Sequence, residues 1–163
     1  MSSLSKQLSQ RTILLWACFF PITYLIHIAE ESWVGGGYSE YLYRLRGVHM
    51  STTRFWIAQS VGVVLLVLGI YIARRLGFVQ VMIVILGSVV LVNALTHIGT
   101  SVAHWMYGPG LISSIFIWLP LGLASLIRFF PLVKTRKYWV AVAIGIAINL
   151  VIMIFTMRGG RLV

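Results

Sequence analysis

Acidic side chains are nearly missing from this chain. Its 163 residues include 3 Asp or Glu against 13 Lys or Arg, and only 10% are charged. A soluble domain carries roughly a quarter charged residues, so a water-exposed globule is excluded. Cysteine is scarcer still. Cys18 stands alone, which rules out an internal disulfide and any thiolate-built zinc or iron–sulfur centre. Inside its apolar run Cys18 reads as a small buried apolar residue.

Hydrocarbon fills the space. The chain is 60% hydrophobic with a mean hydropathy of +0.95. Apolar runs of about 20 residues are the mark of membrane-spanning helices. Five can be drawn: 12–33, 54–73, 78–104, 111–130 and 138–157. The expected fold class is therefore all-α, a polytopic transmembrane helix bundle of about five spans. The expectation is a single integral membrane domain over residues 1–163 with no soluble appendage. The first run is long, holds an acidic pair and lacks a clear small-residue cleavage site, so it reads as a span and not as a signal peptide. Arg74–Arg75–Leu76–Gly77 forms a hairpin, Leu132 to Lys137 a short basic turn, and Pro120 is expected to kink the fourth span. Only the connection from Val34 to Thr53 is long. It opens on Gly35–Gly36–Gly37, a flexible break, and continues YSEYLYRLRG, a composition suited to the membrane interface. No internal repeat suggests an inverted-repeat transporter.

The net charge of +10 invites a nucleic-acid reading, but the basic residues form no continuous face. They fall in short clusters between apolar runs, as expected of residues anchored among lipid headgroups. The expected partners are membrane lipids and no nucleic acid, with a homo-oligomer left open. Counting sides, Lys6, Arg11, Arg74, Arg75, Arg128, Lys134, Arg136 and Lys137 face Arg44, Arg46, Arg54, Arg158 and Arg161. The richer side is the cytoplasmic one. That puts the expected N-terminus on the inner side of the membrane.

Two of the three acidic residues stand side by side in HIAEE, residues 27–31. With a helix turning about 100° per residue, His27, Glu30 and Glu31 lie within about a 100° arc and look into one interhelical space. The third span contains VNALTHIGTSVAHW. Taking Asn93 as the origin, His97 lies at about 40°, Thr100 at about −20°, Ser101 at about 80° and His104 at about 20° around the helix. That is a polar stripe. Glu30 and His97 each stand about 27–29 Å above the inner start of their spans, so both reach the same level toward the outer leaflet.

A carboxylate at that depth costs a few kcal/mol, and adjacent carboxylates repel unless a cation joins them or one is protonated. A divalent metal resolves both difficulties. His and Glu at i, i+3 or i, i+4 suit metal ligation. The candidate ligands are His27, Glu30, Glu31, His97 and His104, with zinc or iron, or else manganese, as the ion. Glu30 or Glu31, whichever is not a ligand, would be the general base on an activated water. His49 reads as a solvated loop residue.

His27-Ile28-Ala29-Glu30-Glu31 is an H-x-x-E-E motif and Tyr107-Gly108-Pro109-Gly110 a Y-x-P-G motif. With one histidine between them, they resemble the HXXEE-domain family of small bacterial multi-spanning membrane proteins, over about residues 20 to 125. The family's histidine maps most naturally onto His97. The resemblance implies that these positions belong together and supplies no substrate. Pro109 and Gly110 are expected to turn the chain into the fourth helix, with Ser113 and Ser114 in its first turns, where a helix N-terminus attracts anions. Tyr107 is a candidate to cap the cavity or to donate to a substrate, as a catalytic or binding group. Asn93, Ser101, Pro109 and Gly110 complete the expected substrate-binding set.

The leading expectation is a membrane-embedded, metal-dependent enzyme with hydrolase-like or related proton-transfer chemistry on a lipid-like or apolar molecule. One alternative is a metal-free isomerase in which His27 and the carboxylates shuttle protons. Another is a divalent-cation or proton transporter or channel. A path would need polar groups continuing to the inner face, where only Gln59 and Asn149 offer themselves.

Overall fold

Ser9 opens the first helix by accepting the Thr12 N–H at 3.1 Å, an N-cap that satisfies one of the free donors of a helix start. The computed structural model describes residues 8–158; Lys6 and Arg161 of the charge count lie outside them. Helix α1 (Gln10–Trp33) runs from this cap to the triple glycine. A short helix, α2 (Gly37–Arg46), follows, then α3 (Thr52–Arg75) and α4 (Val79–His104). The next helical segment, α5 (Leu111–Leu132), contains a π turn at Ser114–Trp118. Helix α6 (Thr135–Arg158) closes the order. Among the described residues there is no strand, and five helical segments are long and apolar enough to cross a membrane. The protein is an all-helical integral membrane protein.

Helix α4 is the centre, packing against α1, α3, α5 and α6. Small residues bring the backbones close, as they do where lipid gives helices no hydrophobic reason to associate. A Cβ on Gly145 of α6 would lie 2.5 Å from the Ile85 carbonyl, and one on Gly122 of α5 would lie 2.9 Å from that of Gly87. Asn149 donates to the Val89 carbonyl at 3.3 Å, and Trp16 of α1 donates to Ser125 of α5 at 2.8 Å. Helix α3 is peripheral, burying only Phe55 and Ala73.

Three local expectations change. Cys18 is exposed, because Ala17 and Phe20 take the inward positions of that turn. Gly35, Gly36 and Gly37 are not a flexible break but a tight turn with φ of 67°, 86° and 81°, values that favour residues lacking a Cβ. It turns the chain into α2, whose Tyr41 lies against Gly108 of the Y-x-P-G loop. At Pro120 the expected kink takes the form of the π turn just ahead of it, where the Leu119 N–H bonds back to Ser114. Shifting the register there accommodates a proline that would otherwise strike the preceding turn.

Candidate metal centre

The two glutamates of HIAEE part company. Being neighbours, they point about 100° apart around α1, and each meets a different partner. Glu31 turns toward α4: its Oε1 lies 3.6 Å from His27 Nε2 and 3.5 Å from His97 Nε2. Glu30 turns toward α5. Its Oε1 accepts the Tyr107 hydroxyl at 2.7 Å and the Ile112 N–H at 2.8 Å, and its Oε2 accepts the Ser113 N–H at 2.7 Å. The anion expected at the start of this helix is thus the protein's own Glu30, capping donors that have no intrahelical partner.

His27, Glu31 and His97 each offer one ligand atom, all within 4.8 Å of one another. His27 is 1% and Glu31 5% exposed. Separations of 3.5 and 3.6 Å are too long for hydrogen bonds. They are close to the edge of about 3.3 Å between ligands bound at about 2.05 Å in a tetrahedron. The fit is strengthened by His27 Nε2, which is fully buried and has no hydrogen-bond partner. On the other side of that ring, Nδ1 lies 2.7 Å from Ser113 Oγ. The Ser113 hydroxyl also lies 3.2 Å from the Gly110 carbonyl; an imidazole protonated at Nδ1 satisfies both contacts and leaves the Nε2 lone pair for a ligand. Trp118 stacks on the same ring, centroids 3.7 Å apart. His97 stands edge-on to the His27 ring, centroids 5.0 Å apart. A polar group behind the imidazole, as Ser113 is behind His27, is the usual outer support of a ligating histidine.

Glu31 has its own support. Gln59 of α3 donates to its Oε2 at 2.8 Å, and Tyr24 donates to Gln59 Oε1 at 2.6 Å. The Y-x-P-G segment closes the top. A Cβ on Gly110 would lie 2.7 Å from His27 Cε1 and 2.9 Å from His97 Cε1, and its φ is 90°. Both rings therefore stand directly against a backbone with no side chain. Gly108 N–H donates to Ser101 Oγ at 3.2 Å, which holds the loop on α4. Burial, and then the hydrogen bond and charge of Glu30, push the Tyr107 phenol above its ordinary value, so it remains a donor.

The residues expected from sequence thus divide. His27, Glu31 and His97 come together. Glu30, Tyr107 and Ser101 hold the loop, and Gly110 seats the two rings. His104 is exposed in the last turn of α4 and is outside the three-residue group. Asn93 is one turn below His97, with its Oδ1 buried and unpartnered. His49 stacks on Tyr43, centroids 4.3 Å apart. Sequence reasoning missed the roles of Gln59, Tyr24, Ser113 and Trp118. Gln59 alone left a usable signal, as an amide in an apolar span.

Taken together, these features define a polytopic helical membrane protein with a buried His/His/Glu cluster roofed by a proline–glycine loop. The chain belongs to the family described as "Protein of unknown function with HXXEE motif", whose model matches residues 18–125. No curated protein and no solved structure matches it.

Proposed function

We propose that the protein is a membrane-embedded metal-dependent enzyme acting on a lipid-like or otherwise apolar substrate. His27, Glu31 and His97 would hold one divalent ion, with zinc or iron suiting the mixed nitrogen and oxygen donors. The observation that carries this reading is the convergence of three buried ligand atoms within 4.8 Å. Three protein ligands are the number found where a metal keeps a position for water or substrate. A metal held this way supplies Lewis acidity and a water nucleophile for hydrolysis or a related proton transfer.

The chain's own residues supply the rest. Ser113 and Trp118 fix His27, and His97 stands edge-on to the same ring. Both oxygens of Glu30 are engaged by three donors. Glu30 therefore anchors the loop and is not free to serve as the base expected of the leftover carboxylate. Glu40, the third acidic residue, pairs with Arg44 at 2.9 Å, leaving Glu31 as the carboxylate of the site.

Depth supports the substrate class. Trp33 and Trp105, 76% and 93% exposed, are the kind of residue that marks the membrane–water interface. They lie about 9 Å along α1 from His27 and about 12 Å along α4 from His97. The cluster therefore sits about two turns below headgroup level, where the chains of a lipid-like molecule would reach it. By the charge count, the N-terminus is cytoplasmic and the site is in the outer leaflet of a bacterial inner membrane. All ligands come from one chain, so a second copy is not needed to complete the centre.

A second reading has one observation in its favour. Glu31 Oε1 is almost equidistant from two Nε2 atoms, an arrangement that suits a metal-free proton shuttle in an isomerase. The transporter reading is weaker, since Gln59 and Asn149 are both engaged within the bundle. The deciding experiment is turnover of a membrane lipid extract by reconstituted protein with and without a strong chelator. Loss of turnover with chelator and in Glu31→Gln supports the metal enzyme. Chelator-resistant turnover that still needs Glu31 contradicts it and favours the shuttle.

A further inference from the structure

We infer that Gln59 is a positioning residue for the metal centre: its amide holds Glu31 so that one carboxylate oxygen, Oε1, faces His27 and His97. The inference rests on the metal reading above. A free glutamate side chain can turn either oxygen, or both, toward an ion. Here Oε2 is occupied, accepting Gln59 Nε2–H at 2.8 Å, and Oε1 is the oxygen that lies 3.5–3.6 Å from the two imidazoles.

An amide can do this only if its nitrogen end is the one presented. Glu31 settles the choice, because a carboxylate only accepts and a flipped amide would set oxygen against its Oε2. Tyr24 completes the arrangement, its hydroxyl donating to the Gln59 Oε1 that is left over, at 2.6 Å. Gly62, one turn beyond Gln59 on α3, lies against the Tyr24 hydroxyl and leaves it the room a side chain would take. Tyr24 to Gln59 to Glu31 is therefore a directional chain, from α1 to α3 and back to α1. It gives the loosely packed α3, which buries only Phe55 and Ala73, a specific part in the site. Such outer-sphere partners typically change metal affinity roughly 10–100-fold when removed.

The test is zinc affinity, measured by competition with a chelating dye on full-length, tag-free protein in detergent. The variants are Gln59→Leu, Tyr24→Phe and the double variant, and helical circular dichroism monitors the fold. Gln59→Leu should bind zinc roughly 10–100-fold more weakly, and Tyr24→Phe should lose a smaller factor. The double variant should match Gln59→Leu alone, because Tyr24 acts only through the amide. Cobalt-loaded Gln59→Leu should also shift its visible absorption bands as Glu31 is freed to reorient. Losses that multiply in the double variant, or zinc affinity in Gln59→Leu within about twofold of wild type, would overturn the role while leaving the metal centre standing. A wild-type protein that binds no zinc would overturn both. Should Gln59→Leu fail to fold, Tyr24→Phe carries the test: unchanged affinity and cobalt spectrum there refute the directional chain.

Discussion

Replacing Gly110 by alanine probes the roof of the centre with a single methyl group. The added Cβ would lie 2.7 Å from His27 Cε1 and 2.9 Å from His97 Cε1, whereas ordinary contact begins at 3.4 Å. To accept it, His27 must retreat by about 0.7 Å and His97 by about 0.5 Å, while metal–ligand distances tolerate only about 0.2 Å. Neither ring is free to move. His27 is stacked on Trp118 and tied to Ser113, and His97 stands edge-on against the His27 ring. Alanine must also adopt a φ near 90°, at a cost of about 1–2 kcal/mol. The expected result is therefore a modest fall in thermal stability together with a loss of zinc affinity on the order of 100-fold. Gly99→Ala is the control. It sits on the same helix as His97 with nothing within 4 Å of its would-be Cβ, and it should leave affinity unchanged. Both are read by dye competition and thermal unfolding. A Gly110→Ala protein that binds zinc like wild type would refute the close seating of the two rings.

Other substitutions separate ligands from supports. Glu31→Gln should abolish metal binding. Glu30→Gln should keep the metal but weaken the loop by about 2 kcal/mol, since the charge-assisted bonds to the helix start are lost; thermal unfolding with and without metal distinguishes the two. Ser113→Ala removes the partner of His27 Nδ1 and should lower affinity roughly 10-fold, measured by the same titration. His104→Ala, changing an exposed residue outside the cluster, should bind zinc as wild type does. Gly145→Leu should prevent α6 from docking, because even a Cβ would lie 2.5 Å from the Ile85 carbonyl and 2.6 Å from Ser88; loss of a monodisperse folded species in detergent would report it.

Helix positions were legible in the sequence because hydrocarbon length and basic punctuation encode them directly. The expected third span, 78–104, became Val79–His104, and the fourth, 111–130, became Leu111–Leu132. The pairing of HIAEE with His97 was legible from depth and periodicity. What periodicity could not assign was which glutamate does what. Both fall inside one arc of α1, and the choice is made by the N-terminus of α5, which takes Glu30 for its free N–H groups. The role of Gln59 was equally hidden. It belongs to another helix, and its bond to Glu31 depends on how α3 rotates about its axis, which a nearly uniform apolar surface does not record.

The central claim is that His27, Glu31 and His97 form one metal centre while Glu30 does not belong to it. Elemental mass spectrometry on tag-free, detergent-purified wild type, Glu31→Gln, His97→Ala and Glu30→Gln tests it most directly. The expected result is about one zinc or iron ion per chain in wild type and Glu30→Gln, and none in the other two. Metal-free wild type after reconstitution, or metal retained by Glu31→Gln, would contradict the account.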